Sequence, residues 1–181
     1  MTILDSGSES MVGQSIAWNT LDLHGQFTLV LAGADAGGLT SAQRRTVWID
    51  NPPIAAAEGG MREFDAIRIF VPPGGPIEDI ALGVRPYDED WSPDLSTESL
   101  RAAGRPFEII SAPPEIDLQR PATLRMSYDE TAAAEKLALF RLGSDQTWQR
   151  IGGTLDKGEN TISTAIGSFG TFVLLEDHRE Y

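Results

Sequence analysis

Apolar and polar residues alternate along much of this chain with the two-residue period of β-strands. Ile67, Ile69 and Val71 are separated by Arg68 and Phe70, so the first three should point to one face of a strand and the other two to the opposite face. Similar apolar runs recur up to residue 175, and the segments between them are rich in the turn residues Gly, Pro, Asp and Asn. The pattern predicts an all-β fold, an antiparallel β-sandwich.

Two strands are predicted in the first third of the chain. Residues 27–31 alternate as a strand should, and a second strand is predicted at 45–49. The segment 32–39, AGADAGGL, marks a turn between them. Residues 51–53, Asn-Pro-Pro, end the second strand because proline has no amide N–H for the hydrogen-bond ladder.

The remaining strands are predicted from residue 63 onward. They lie at 66–71, 77–84 and 107–111, and five more follow between 121 and 175. The segment 129–136 is Ala-rich and should form a short helical turn with Asp129 as its cap. The predicted core consists of Ile67, Ile69, Val71, Ile80, Leu82, Val84, Leu124, Met126, Leu139, Trp148, Ile162, Ile166, Phe172 and Leu174.

Changes in composition predict how the chain is divided. The beginning of the chain and the segment 54–62 are rich in small residues, which are typical of linkers. We expect a flexible tail at 1–14, a first unit at 15–53, a linker at 54–62, a second unit at 63–175 and a charged tail at 176–181.

The first unit resembles the last three strands of bacterial immunoglobulin-like repeats. An immunoglobulin-like sandwich has about seven strands in roughly 100 residues, so the resemblance implies that about half of a domain is missing, or that these strands pack on something else. The matching positions are Trp18, Thr20, Leu23, Gly25, Phe27, Leu29, Asp35, Gly38, Val47, Ile49, Asp50, Asn51 and Pro53.

The second unit resembles the ZU5-type β-sandwich, a family found in ankyrin-binding and death-domain scaffold proteins and in bacterial surface proteins. The resemblance lies in the order of short motifs, which run from Pro-Pro-Gly to a closing strand with two Phe and two Leu residues. It implies a β-sandwich at 63–175 with a scaffold role. The matching positions are Pro72, Pro73, Gly74, Phe107, Pro121, Leu124, Trp148, Gly152, Gly153, Asn160, Phe169, Phe172 and Leu174.

The same resemblance raises the possibility of self-cleavage. Some ZU5-like domains cut their own backbone at a His-Phe-Ser step near the last strand, where a hydroxyl attacks the preceding carbonyl and a His acts as base. The matching residues are Ser168, Phe169 and Gly170, and glycine has no hydroxyl. Thr171 lies one residue late and should point to the opposite face of the strand. We therefore expect no autoproteolysis.

Composition narrows the classes of function. The net charge of −13 should repel a phosphate backbone or an anionic membrane, so nucleic acid and acidic lipid are not expected partners. The lack of cysteine excludes disulfides, thiolate nucleophiles and Cys-based zinc sites. The first residues, MTILDSGSES, have neither a basic n-region nor an apolar h-region, so they are not expected to be a signal peptide, and no run of about 18 apolar residues predicts a membrane span.

Catalytic motifs are also not recognisable. His24 lies at a predicted turn and His178 in the predicted charged tail, and neither has an identifiable nucleophile or orienting group in its context. The chain has no Gly-x-Ser-x-Gly motif. The segment 72–76, PPGGP, is interrupted by proline and lacks the Lys-Ser/Thr of a phosphate-binding loop. We predict that the protein is not an enzyme and needs no cofactor.

The acidic loop at 87–98 is a candidate ligand-binding site, which is the alternative to a purely structural role. Asp88, Asp90 and Asp94 offer oxygen ligands for Ca²⁺, but they lack the order of an EF-hand loop and its glycine. Acidic runs are also typical of a solvated surface. Tyr87 and Trp91 flank the acids and would anchor a partner or a glycan, or cap the edge of a sandwich.

The other tryptophans and acidic residues give weaker indications of a binding site. Trp18, Trp48 and Trp148 fall inside strand patterns, where packing in the core or at a strand edge is typical, so only Trp91 is predicted to be exposed. Asp35 and Asp50 lie near the ends of the first-unit strands, where a Ca²⁺ between domains would need ligands from both domains.

The sequence predicts a non-catalytic structural or interaction module that is part of a larger bacterial cell-envelope or secreted multidomain protein. Its partners would be other proteins or neighbouring domains of a longer chain. The alternative is a module that binds a glycan or Ca²⁺ through the 87–98 loop. We expect an extracellular or envelope location if the chain is a fragment of a longer one, and a cytoplasmic location otherwise.

Overall fold

A computed structural model of the chain describes residues 18–34, 37–87, 99–129 and 133–179. The chain divides into two compact units, Met1–Pro52 and Pro53–Tyr181. All strand pairings among the described residues are antiparallel, which confirms the predicted all-β class. Within these ranges, no helix has the length and apolar character needed to cross a bilayer.

The first unit contains a long β-hairpin formed by β1 (Gly25–Ala34) and β2 (Thr40–Ile49). All ten residues of each strand are paired with the other strand. The second strand therefore begins before the predicted 45–49, because the polar residues that precede it continue the ladder opposite β1. Phe27 and Leu29 are half-buried, whereas Leu31 on the same face is exposed.

The second unit is a sandwich of two antiparallel sheets. One sheet has the strand order β10-β9-β13-β7-β5, with β6 also paired with β13, and the other has the order β11-β12-β8-β4-β3. The strands are β3 (Gly60–Phe64), β4 (Ile67–Val71), β5 (Ala81–Pro86), β6 (Leu100–Ala102), β7 (Phe107–Ala112), β8 (Ala122–Ser127), β9 (Leu137–Leu142), β10 (Trp148–Gly152), β11 (Thr154–Asp156), β12 (Thr161–Ile166) and β13 (Gly170–Asp177).

The region after residue 121 supplies six strands rather than the predicted five. The difference is the separation of β10 from β11 at Gly152 and Gly153, whose φ angles of +78° and +154° favour glycine. These conformations redirect the chain, so β10 pairs with β9 in one sheet and β11 pairs with β12 in the other.

The main core lies between the inner faces of the two sheets. In β4 the inward-facing residues are buried and the outward-facing ones are exposed, as the alternation predicts. The predicted core residues are buried except for Val84 and Trp148, which are half-buried. Val84 lies on the edge strand β5, and Trp148 lies on the edge strand β10 and packs against a different cluster.

That second apolar cluster lies on the outer face of the six-stranded sheet. It involves β9 and β13, whose remaining apolar residues face the main core, so both strands are buried on both faces. Continuous apolar runs such as LALF and FVLL are typical of strands in this position. The buried members of the cluster are Ala138, Phe140, Val173 and Leu175, with Leu100 and Trp148 half-buried around them.

The segment 54–62, which was expected to be a linker, contributes to the second unit. Ile54 is only 2% exposed and forms a β-bridge with Ile80. Gly59 has a φ of +68° and lies so close to β4 that a Cβ atom there would overlap the carbonyl oxygen of Val71. The small residues of this segment therefore allow close packing, and β3 begins within the segment, at Gly60.

Two further elements differ from their predicted extents. The strand predicted at 77–84 begins later than expected, at Ala81, the first residue of β5. The residues just before it are held by the segment at 54–62: Ile80 forms a bridge with Ile54, and Asp79 accepts a hydrogen bond from the amide N–H of Ala56 at 2.8 Å. The predicted helical turn at 129–136 is a single 3-10 turn, Ala134–Lys136, preceded by Ala133 rather than by Asp129. The amide N–H of Ala133 is capped by the side chain of Glu176 in β13.

Candidate functional sites

Most of the predicted ligand loop at 87–98 lies outside the described residues, including Asp88, Asp90, Trp91 and Asp94. Tyr87 is described and follows β5 directly. Its amide N–H donates a hydrogen bond to the carbonyl of Pro106 at 3.2 Å, which holds Tyr87 beside the residue that directly precedes β7. The Ca²⁺ and glycan hypotheses for this loop stay predictions.

The tripeptide Ser168-Phe169-Gly170 forms the turn that leads from β12 into β13. Gly170 has a φ of +146°, and a Cβ atom there would lie 3.6 Å from a guanidinium nitrogen of Arg141. The Nη2 group of Arg141 donates to the carbonyl of Phe169 at 3.1 Å. Thr171 is buried within β13. The step thus offers no accessible hydroxyl at the position where a nucleophile would be required, and an arginine binds the carbonyl that precedes Gly170.

The two histidines have different surroundings. His24 is part of the first unit, where its Nδ1 atom lies 4.0 Å from a carboxylate oxygen of Asp50. His178 accepts a hydrogen bond at Nδ1 from Lys136 at 2.8 Å, since an ammonium group can only donate. Its Nε2 atom therefore carries the proton and donates to Glu176 at 3.2 Å. No serine or threonine hydroxyl of the described residues is hydrogen-bonded to either ring.

Glu176 also holds the 3-10 turn in place. Its Oε1 atom accepts a hydrogen bond from the amide N–H of Ala133 at 3.1 Å. This bond, together with the one from His178, lowers the pKa of the Glu176 carboxyl below its ordinary value of 4.5. The carboxylate thus caps the turn from β13, a strand that is distant from the turn in sequence.

The predicted charged tail at 176–181 begins inside β13, and its second residue is buried. The side chain of Asp177 is only 3% exposed. Arg179 donates to both of its carboxylate oxygens, at 2.8 and 2.9 Å, and the Nε of Arg150 lies 3.0 Å from one of them. The Arg179 guanidinium also lies 5.6 Å from the ring centroid of Phe140. Asp177 and its two arginines therefore lie over the second apolar cluster. A buried carboxylate paired with two cations has a structural role in this position.

The structure changes the interpretation of one tryptophan. Trp18 packs edge-on against Phe27 with ring centroids 5.7 Å apart, and Trp148 is half-buried, as their strand patterns indicated. Trp48 is 66% exposed, however, so the prediction that it is packed was wrong. Its only ring neighbour among the described residues is His24 at 6.0 Å. Among the described residues of the first unit, the hairpin is the only sheet, and its face at Trp48 is left uncovered by them.

No group of three or more His, Asp or Glu residues suited to holding a metal ion occurs in the part of the chain that the structure describes. Asp35, one of the two predicted ligands for a Ca²⁺ between domains, lies outside that part, whereas Asp50 lies near His24. The predicted interdomain site therefore remains a prediction.

Sequence reasoning missed an arginine pair on the outer face of the five-stranded sheet. Arg68 of β4 and Arg125 of β8 lie directly opposite each other in the ladder. The sequence did indicate that Arg68 faces outward, but the pairing with a distant strand could not be read from it. The two residues line a shallow polar depression with Ser127, Glu159 and Thr161.

No protein-family model matches this chain, and no curated protein sequence is significantly similar to it.

Proposed function

We propose that this chain is a non-catalytic structural and interaction module of a larger bacterial cell-envelope or secreted protein. The observation that carries the proposal is the β1–β2 hairpin, a regular ladder of ten residue pairs that exposes apolar side chains. A two-stranded hairpin by itself is only marginally stable in water, whereas three or more strands with a covered face are stable. The hairpin is therefore suited to being completed by other chain segments.

The apolar surface of the hairpin supports this proposal. Val30, Leu31, Leu39 and Trp48 are each more than half exposed. Val30 and Trp48 point to one face of the hairpin and Leu31 to the other, so both faces expose apolar side chains. A free strand edge accepts an added strand through main-chain hydrogen bonds. Neighbouring domains of a longer chain or separate protein partners would supply the covering strands.

The polar groups of the second unit are consistent with a non-catalytic role. Lys136, His178 and Glu176 are hydrogen-bonded to one another and to the 3-10 turn, and Asp177 is neutralised by two arginines. A nucleophile, its base and an orienting group are the minimum for covalent catalysis. The described residues do not bring such a set together.

The finer family assignments belong to the same proposal. We infer a ZU5-like sandwich for the second unit and a partial immunoglobulin-like unit for the first. The positions that carry the ZU5 resemblance occupy structural places in the fold: Leu124, Phe172 and Leu174 are core residues, and Gly152 and Gly153 have positive φ angles. An envelope or secreted location follows from the same resemblance, and the net charge of −13 disfavours nucleic-acid partners.

Site-specific photo-crosslinking tests the interaction role. A photoreactive phenylalanine analogue replaces Leu31 or Trp48 in the full chain, which is then produced in its native host and irradiated. We expect discrete covalent adducts, whose partner peptides mass spectrometry identifies. Ile77 is the matched control, because it is an equally exposed apolar residue of the second unit. Adducts that are the same at Ile77 and in the hairpin, or that are absent from the hairpin, would contradict the proposal.

A further inference from the structure

The two arginines of the first unit lie next to each other at the centre of β2. Arg44 and Arg45 are both exposed, and neither β1 nor β2 contains an acidic residue. In the ladder, Val30 of β1 lies opposite Arg44, and Leu29 lies opposite Arg45. Neither arginine forms an ion pair with a carboxylate in the described part of the chain. The hairpin therefore carries two adjacent positive charges that its own strands do not balance.

The second unit shows how exposed arginines on strands are balanced elsewhere in this protein. Three of them lie directly opposite a glutamate on a neighbouring strand: Arg68 opposite Glu63, Arg85 opposite Glu108, and Arg101 opposite Glu176. In the first two pairs the charged groups are 2.7 and 2.6 Å apart. Opposite charges that face each other across a ladder stabilise the pairing of the strands. On β2, the side toward β1 offers no such carboxylate.

The other edge of β2 can accept a strand that supplies these charges. The hairpin sheet has two strands, so the edge of β2 that points away from β1 has no ladder partner among the described residues. An extended segment adds to such an edge through main-chain hydrogen bonds, and its side chains then lie opposite those of β2. Two consecutive residues of the added strand would face Arg44 and Arg45, and two residues slightly further along would face Val47 and Trp48.

We propose that the free edge of β2 binds an acidic β-strand of a partner protein. Two consecutive carboxylates of that strand lie opposite Arg44 and Arg45, and apolar residues lie opposite Val47 and Trp48. Consecutive residues of a strand point to opposite faces, so each face of the enlarged sheet receives one carboxylate and one apolar residue. The inference rests on the proposed interaction role of the hairpin and specifies the chemistry of the partner.

A second copy of this chain fits the same edge less well. In a two-fold antiparallel pairing of β2 with itself along its full length, Arg44 of each copy would lie opposite Arg45 of the other. Like charges directly opposite in a sheet are destabilising. A long polyanion such as a nucleic acid is also disfavoured, because it would meet the acidic remainder of a chain whose net charge is −13. A short strand with two carboxylates meets the arginines locally.

Titration of the full chain, labelled with ¹⁵N, with synthetic peptides tests the proposal by NMR. The test peptide is as long as β2 and contains Val-Val-Thr-Glu-Glu, which lies opposite residues 48 to 44 in an antiparallel pairing. Two control peptides carry Gln-Gln or Lys-Lys instead of Glu-Glu. We expect shifts of the β2 amides, with the Glu-Glu peptide binding about fivefold more tightly than the Gln-Gln peptide and the Lys-Lys peptide binding most weakly. Added salt should reduce these differences, because the arginines are exposed.

Substitutions identify the arginines as the cause of the preference. The double variant Arg44→Gln, Arg45→Gln should bind the Glu-Glu and Gln-Gln peptides equally, because the main-chain hydrogen bonds and apolar contacts remain while the positive charges are gone. The double variant Arg85→Gln, Arg105→Gln is the charge-matched control, since it removes two exposed arginines of the second unit and should keep the preference. If the first double variant disturbs the hairpin, the three peptides still test the proposal on the natural chain.

The results that would overturn the proposal differ from those that would overturn the interaction role of the hairpin. Equal affinity for the Glu-Glu and Gln-Gln peptides, or a control variant that loses the preference, would show that the partner is not selected by its acidity, although the hairpin still accepts strands. Shifts confined to β1 or to the second unit, or no shifts, would exclude the β2 edge. Shifts of β2 that depend on the concentration of the chain alone would assign the edge to a second copy. The cross-links from Leu31 and Trp48 decide the interaction role independently of all these results.

Discussion

The hairpin of the first unit and the sandwich of the second are built from the same kind of sequence, yet they bury their apolar residues very differently. In β1, Leu31 continues the apolar face that begins at Phe27, and it is 64% exposed. In β13, Leu174 lies in a continuous apolar run and is almost completely buried. The apolar residues predict a strand in both cases, but burial requires a second layer opposite the strand, and among the described residues two packed sheets occur only in the second unit.

The same difference in burial explains why the charged residues of the two units make different kinds of contact. In the sandwich, charged residues at the strand ends are held in specific places, as Asp177 is between Arg150 and Arg179. In the hairpin, the contact between His24 and Asp50 is long and exposed. An ion pair that is shielded from water is stronger than an exposed one, and a buried charged group without a partner is costly. Short, well-aligned polar contacts are therefore found where the surface is covered.

The largest expected difference between the two regions comes from removing a phenylalanine ring. Phe172 is completely buried in the main core and stacks on Phe107 with ring centroids 6.1 Å apart. Phe172→Ala should lower the free energy of unfolding by about 3–5 kcal/mol. Phe27→Ala in the hairpin should leave the unfolding of the sandwich unchanged. Urea unfolding followed by circular dichroism measures both, and equal losses would mean that the two regions are not energetically distinct.

Two glycines test how tightly the segment before β3 is packed. Gly59 and Gly74 have nearly the same φ angle, +68° and +67°, but a Cβ at Gly59 would overlap backbone atoms of Val71 and Pro72, whereas a Cβ at Gly74 would contact nothing within 4 Å. Both substitutions to Ala carry the left-handed penalty of about 1–2 kcal/mol, and Gly59→Ala adds an overpacking cost of about 1–3 kcal/mol. If thermal unfolding gives the two variants the same stability, this segment is a loose connection as the sequence had indicated.

The tryptophans allow a direct comparison of the same side chain in both regions. Trp148 is half-buried against the second apolar cluster, so Trp148→Ala should cost about 2–3 kcal/mol, which is less than for a completely buried ring. Trp48 is mostly exposed, and Trp48→Ala should change the free energy of unfolding by less than about 0.5 kcal/mol. A large loss of stability on replacing Trp48 would show that the hairpin face is covered in the free chain.

The parts of the fold that were predictable are those where burial is one-sided. β4 and β8 alternate strictly between buried and exposed or half-buried positions, and the two-residue period of the sequence carries that information directly. β9 and β13 are covered on both faces, so their apolar runs indicate strands without indicating a second cluster. The segment at 54–62 was misjudged because small residues are typical both of flexible linkers and of close backbone packing, as at Gly59.

The candidate sites were less predictable because they depend on register between distant strands. Arg68 and Arg125 become neighbours only through the pairing of β4 with β8. Glu176 caps a turn that precedes it by many residues in the chain, and Asp177 is buried because two arginines from different segments reach it. Local sequence patterns show which residues face outward, but the contacts between them follow from strand order.

The smallest expected effect is the response of the sandwich to acid. The amide of Ala133 and the ring of His178 lower the pKa of Glu176 below 4.5, so this carboxylate stabilises the folded chain above pH 4.5, and that contribution is lost as the pH falls through the folded-state pKa. Glu176→Gln cannot titrate, and its free energy of unfolding should therefore fall less steeply than that of the natural chain between about pH 5 and pH 3. Urea titrations at several pH values provide both slopes. Identical slopes would show that the carboxylate is not held by the Ala133 amide in solution, whereas a shallower slope together with faster exchange of that amide in the natural chain at low pH would assign the acid response to this contact.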